Sequence, residues 1–215
     1  MRGGSQGHRD AGEALAGSDR PLVVTSGTGL ARSKTGAPAV ETDDHVTSAE
    51  YPRAATKEAA DALIAKGGRV MVMRLSQAHD TRHQGRIRQH ILLARRKGWV
   101  AYVGEGSNRL AAVHVSDAVR LYRLALEKGQ AGARYNAVGE EGVALRDIAE
   151  VIGAGLKMPA KSITPEAAPD YFGPLASLVT IDLAASSAPT RRQLGWNPTG
   201  PDLLTDLRNM AYSVV

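Results

Sequence analysis

Two apolar runs separated by a long connection constrain this chain more than any other feature. Pro21 to Thr25 (PLVVT) ends in Ser26-Gly27-Thr28-Gly29, which reads as a buried strand closed by a glycine turn. Arg69 to Leu75 (RVMVMRL) is apolar at nearly every position, so a strand there must be covered on both faces. A helical pattern lies between them: Pro52 can occupy a first turn, and Ala54, Ala55, Ala59, Ala60, Leu63 and Ile64 follow at helical spacing until Gly67-Gly68 stops the run. Strand, helix, strand with a crossover of this length predicts a parallel pair, because antiparallel neighbours need only a short hairpin. The fold class is therefore α/β.

The connection from Ala31 to Glu50 is rich in Gly, Pro, Ser and Asp and reads as a loop, long enough to be functional. Beyond residue 98 the pattern changes. Short strands are expected at Trp99–Val103, Val113–Val115 and Tyr135–Val138. A helix capped by Ser116 or Asp117 runs to Gly129, another spans about Leu145 to Leu156, Thr164-Pro165-Glu166 opens a further one, and Leu203, Leu204 and Leu207 mark the last.

Of 215 residues, 43% are apolar and 23% charged, and none is Cys, which excludes both a disulfide scaffold and a chain too polar to build a core. No apolar run is long enough for a membrane span, and MRGGSQGHRD has no apolar signal core, so a cytoplasmic protein without membrane partners is expected. The net charge of +5 raises the question of nucleic acid. Its one basic block, Thr81 to Gly104, carries Arg82, Arg86, Arg88, Arg95, Arg96 and Lys97 around Ile87, Ile91, Leu92 and Ala94 at helical spacing. It reads as an amphipathic helix with a solvated basic face, without the aromatic platform or metal-ligand spacing of a nucleic-acid reader. His79 and His83 lie four apart, but the segment reads as a loop and no suitable carboxylate follows, so no metal site is assigned.

Three segments, in order, resemble the extended short-chain dehydrogenase/reductase family, the NAD-dependent epimerase/dehydratase type. Val23-Val24-Thr25-Ser26-Gly27 resembles the strand whose terminal Ser polarises a substrate carbonyl or hydroxyl. Val103 to Arg109 (VGEGSNR), leading into Val113 to Val119 (VHVSDAV), resembles the substrate-side loop and the segment after it. Thr190 to Pro198 (TRRQLGWNP) resembles the family's C-terminal "LGWxP". The resemblance implies a partial Rossmann-like parallel sheet over residues 21–98, with a smaller α+β substrate-side region over residues 99–215 interwoven with it. Residues 1–20 are expected to be disordered or helical. It also implies NAD or NADP as cofactor, a small-molecule substrate on the side of Arg109 and His114, and a homo-oligomer as a possible assembly.

The family's phosphate loop, TGxxGxxG after a first strand, has no counterpart before Pro21, and about three βαβ units, on the order of 100 residues, are missing relative to it. Ser26-Gly27-Thr28-Gly29 follows a strand, but no helix start follows at once, so it is not taken as the fingerprint. The resemblance places Ser26, Tyr51 and Lys57 at the active site. The family's Tyr and Lys stand four apart on one helix face, where the ammonium can act on the phenol. Tyr51 and Lys57 are six apart, about 240° around a helix, and would not meet. Aligning Lys57 with the Lys puts Arg53 at the Tyr position; aligning Tyr51 puts Ala55 at the Lys position. Tyr51 precedes Pro52, so it can lie before the helix and still turn toward Ser26. The bland alternative makes Tyr51 a helix-start anchor, Lys57 a solvated surface charge and His114 a structural histidine. Two function classes stand: an NAD(P)-dependent oxidoreductase or nucleotide-sugar epimerase/dehydratase-like protein shortened at its N-terminus, or a non-catalytic binding or interaction module on that fold.

Overall fold

The computed structural model describes residues 18–31, 33 and 36–214, with Gly7 and Leu15. The 1–20 segment, expected to be disordered or helical, otherwise lies outside the described residues.

In chain order the elements are β1 (Leu22–Gly27), α1 (Ala55–Ala65), β2 (Val70–Leu75), β3 (Gln77–His79), α2 (Ile87–Lys97), β4 (Val100–Val103), β5 (Arg109–His114) and α3 (Val115–Lys128). They continue with β6 (Arg134–Ala137), β7 (Glu140–Ala144), α4 (Leu145–Leu156), β8 (Ala160–Ile163), α5 (Ala168–Phe172), α6 (Ala176–Val179), α7 (Ala188–Leu194) and α8 (Leu203–Asn209). β1 and β2 pair in parallel, as the crossover requires, and β2 pairs in parallel with β6 on its other side. A second sheet has the order β3-β5-β7, and β4 with β8 forms a parallel pair.

Alternation along β2 explains its uninterrupted apolarity. Val70 and Val72 meet Ala60 and Leu63 of α1, whereas Met71 and Met73 meet Ala118, Leu121 and Ala125 of α3. The largest core lies beside this layer, where α2, α4 and α8 enclose β4 and β5 around Ile91, Ile148, Ile152 and Leu207. The basic block forms α2 as expected, with Ile87, Ile91 and Ala94 inward, Leu93 buried as well, and Leu92 half-buried at the margin.

Arg74 follows Val70 and Val72 on the α1 face and is buried. Its guanidinium donates to the carbonyls of Val40 (3.1 Å) and Asp43 (3.3 Å), which fastens the 31–50 connection to the sheet. Burial, and then Arg134, hold this guanidinium below its usual range, while Glu41, Asp43 and Asp61 oppose them. Bridges Ala31–His45 and Ala39–Ala185, and the bond from the Thr190 N–H to the buried Glu41 carboxylate (3.1 Å), fix the same connection elsewhere.

Three local expectations are corrected. The strand expected at Val113–Val115 is β5, Arg109–His114, and the following helix is capped by His114, whose Nδ1 accepts from the Ser116 N–H at 3.2 Å, rather than by Ser116 or Asp117. Asp117 instead accepts from the N–H groups of Thr199 (3.1 Å) and Gly200 (2.8 Å). The segment around His79, read as loop, is strand β3. Strands β7 and β8 were legible in no apolar pattern, because EEGVA and AKSI present several exposed residues.

Helix α4 ends in a residue that conflicts with its backbone. Lys157 caps it at φ 57°, ψ 41°, in the left-handed region where a Cβ is crowded. Replacing Lys157 with Gly is expected to stabilise the protein by about 0.5–1 kcal/mol, read as a raised midpoint of thermal unfolding, with no other element touched.

Candidate active site

The sheet β1-β2-β6 ends on one side in a cavity of about 400 Å³, outside the carboxyl ends of β1 and β2. In open parallel sheets this is where ligands bind, since the strands stop there and the loops diverge. Ser26 and Gly27 close β1, Leu75 closes β2, and Ser76, Gln77 and Ala78 follow it; all line the cavity. Ser26 falls on the same face as Val24, which packs against α1, so its side chain is directed to the side where α1 begins.

The start of α1 supplies the opposite wall. Tyr51 has extended backbone (φ −146°, ψ 110°) and precedes a single 3-10 turn, Pro52–Ala54, so it stands outside the helix. It is 38% exposed and lines the cavity together with Arg53. Ser26 and Tyr51 thus share one cavity. Lys57 does not reach it. It is 4% exposed, paired with Asp61 one turn on and in contact with His45 Nε2, while Asp61 also receives Arg134 at 2.8 Å. The solvated Lys57 of the bland alternative is therefore corrected: burial selects a paired ammonium, since an unpaired one would be costly. His45 stays below its usual range through burial first and Lys57 second, consistent with an imidazole that accepts from the ammonium.

The cations that do face the cavity are guanidinium groups. Arg53 comes from the α1 turn, and Arg86 stands at the start of α2, beside Gly85, whose φ of +46° suits the approach of the Gln77 side chain. Both residues are exposed. Arg86 is held below its usual range chiefly by the protein packed around it and then by Arg53, with Tyr51 opposing. Sequence reasoning reached Arg53 through one alignment and Arg86 only as part of a basic block. Thr28, Ser76 and Gln77 carried no signal, because strand ends bring them together.

Arg109 and His114 do not line this cavity, although Arg109 borders the small neighbouring one that Arg86 also lines. Arg109 is tied to Asp182, its Nη2 2.6 Å from Oδ2 and its Nε 3.2 Å from both oxygens, which raises the Arg and lowers the Asp relative to their ordinary ranges. His114 joins a buried cluster under α8. His79 is fully buried and its Nδ1–H donates to Asp206 Oδ2 at 2.7 Å, while His114 Nε2 stands 3.7 Å from that same oxygen. The two rings meet edge-on at 5.7 Å. Burial pushes His79 down, against Asp206, so it is neutral at neutral pH; its Nε2 is unpartnered, 3.9 Å from Glu140 Oε1. His83 is exposed on Asp80, apart from His79. Among the described residues no group of three or more His, Asp or Glu is arranged to hold a metal ion. No helix among them is long and apolar enough to cross a membrane.

A dinucleotide needs backbone N–H groups at a helix N-terminus for its pyrophosphate. After β1 the backbone of Gly27 is extended (φ −133°), and Thr28–Leu30 is a 3-10 turn of three residues, not a helix. The turn after β1 therefore does not form a pyrophosphate cradle.

No family model matches the chain. It is 38% identical over 202 residues to the uncharacterized protein C2A9.02 of Schizosaccharomyces pombe, covering 94% of this chain and 68% of that protein. The chain belongs to that protein's family. It is also 38% identical over 198 residues to the uncharacterized protein YLL056C of Saccharomyces cerevisiae, covering 91% of this chain and 65% of that one. Among solved structures it resembles DesIV, the dTDP-glucose 4,6-dehydratase of Streptomyces venezuelae solved with NAD bound (TM-score 0.72, 19% identity, 97% of this chain and 64% of that chain). A UDP-glucuronic acid 4-epimerase of Bacillus cereus, solved with UDP-glucuronic acid and NAD, is similar to the same degree (TM-score 0.72, 17% identity, 98% of this chain and 66% of that chain). The chain thus has the α/β fold of NAD-dependent epimerases and dehydratases, and spans about two thirds of the length of these relatives.

Arg86 also borders a second, small cavity of about 20 Å³, whose wall includes His90, Leu110, Leu178 and Val179. Burial, and then Arg86, push His90 down to about 4. Between its ordinary value of 6.5 and about 4 the unfolded chain therefore binds a proton that the folded one refuses, so stability falls as pH falls through this window. The loss at pH 4.5 is expected to be on the order of 2–3 kcal/mol, and His90→Leu is expected to remove that share of the pH dependence in denaturant unfolding at pH 7 and 4.5. An unchanged pH dependence in the variant would sink the assignment.

Proposed function

We propose that this chain carries the proton-handling, substrate-side part of an NAD(P)-dependent oxidoreductase of the epimerase/dehydratase kind, acting on a small molecule. In this reading residues 21–98 are the C-terminal part of a Rossmann-like domain, and residues 99–215 form the substrate-side region interwoven with it. The observation that carries it is the meeting of Ser26 and Tyr51 in one cavity at the carboxyl ends of two parallel strands. A substrate oxygen between them would receive a hydrogen bond from the Ser26 hydroxyl and exchange its proton with the Tyr51 phenol. A nicotinamide cofactor would supply hydride transfer; its binding calls for a phosphate cradle, which the turn after β1 does not form.

A second reading, a non-catalytic binding module on the same fold, is favoured by Lys57, which is held by Asp61 and His45 instead of facing Tyr51.

Calorimetric titration of the purified chain with NAD(H) and NADP(H) separates the two. The first reading expects saturable binding. It also expects turnover of a nucleotide sugar such as dTDP-glucose or UDP-glucuronic acid that drops by about 10²-fold or more in Tyr51→Phe and in Ser26→Ala. Binding of neither nucleotide would remove catalysis by this chain alone and leave the second reading.

A further inference from the structure

We propose that the cavity at the ends of β1 and β2 takes its substrate by an oxyanion, a carboxylate or phosphate, held between the guanidinium groups of Arg53 and Arg86. This rests on the reading of that cavity as the substrate site and adds the substrate's chemical class.

Three observations converge. No Asp or Glu lines the cavity among the described residues, and neither guanidinium has a carboxylate partner there. Several arginines outside the cavity are paired instead: Arg109 with Asp182, Arg134 with Asp61, Arg120 with Asp117, Arg123 with Glu127 and Arg146 with Glu150. Two like charges left together at a partly enclosed site repel each other, and an anion between them removes that repulsion. The second observation is the placing of Arg86 at the start of α2, whose first amides are already bonded to Gln77 and Gln84, so that the side chain of Arg86 is what the helix start brings to the cavity. Third, the hydroxyl-bearing side chains of Ser26 and Thr28 line the same space and can meet a polyhydroxylated or carbonyl-bearing body, while the Ser76 hydroxyl and the Gln77 amide beside them are already bonded to the protein. The planar fork of a guanidinium matches a carboxylate or phosphate in two parallel hydrogen bonds, and two such forks in one cavity would fix the ligand's orientation relative to Tyr51.

The test uses the full chain and two probes, inorganic phosphate and malonate, titrated at low ionic strength by calorimetry without any nicotinamide nucleotide. Saturable binding of at least one probe is expected, the tighter one naming the oxyanion. Arg53→Gln and Arg86→Gln are each expected to weaken it by about tenfold or more, and Arg88→Gln, an exposed cation of the same helix, to leave it within about twofold. Arg53→Lys and Arg86→Lys serve where a glutamine variant does not fold, and a loss of about tenfold is again expected because the fork is gone. Absence of saturable binding, or an equal loss in Arg88→Gln, would overturn the proposal. Since no cofactor is present, anion binding without turnover counts against the catalytic reading alone, and turnover without anion binding counts against this proposal alone.

Discussion

Strand β2 is flanked by β1 and β6, so its side chains have nowhere to go but into two helical layers, and the rest of the structure follows from how those layers are filled. Val70 and Val72 take α1, and Met71 and Met73 take α3. Arg74 interrupts the series near the end of the strand. A buried guanidinium there can be tolerated only with acceptors around it, and the carbonyls of Val40 and Asp43 provide them. One strand thereby sets both the sheet and the course of the long polar connection that passes beside it.

The same economy of charge organises the carboxyl-terminal edge of the sheet. Lys57 lies on α1 one turn after Arg53, yet the two have opposite fates: Lys57 is drawn inward to Asp61, while Arg53 is left facing a cavity without acids. Tyr51 therefore shares its cavity with guanidinium groups and not with the Lys57 ammonium. A guanidinium does not give up its proton in the accessible pH range and offers a fork instead of a point charge.

Below α8, His79, His114 and Asp206 form a second polar centre, inside the protein rather than at its surface. Asp206 lies 127 residues from His79, so no local spacing could have paired them. The pair anchors α8 against the second sheet, and His114 serves at once as the cap of α3 and as a neighbour of this centre. His114, placed on the substrate side by resemblance, and His79, whose spacing to His83 gave no metal site, are thus joined in one group, away from the Ser26 and Tyr51 cavity.

What the sequence determined by itself was whatever depends on local period: the two apolar strands and their parallel pairing, the helix between them, the basic amphipathic helix, the Thr164 cap and the final leucine helix. The six-residue separation of Tyr51 and Lys57 did not decide their relation, because Tyr51 lies outside the helix and Lys57 is turned to Asp61 and His45. Tertiary structure alone decided the rest. Strands such as EEGVA form because a neighbouring edge offers hydrogen bonds, not because their residues are apolar. Lys57 became buried, and Arg53 and Arg86 came to share a cavity, through contacts between segments distant in the chain. The balance between desolvation and pairing that decides a charge's place depends on those neighbours, which no spacing rule contains.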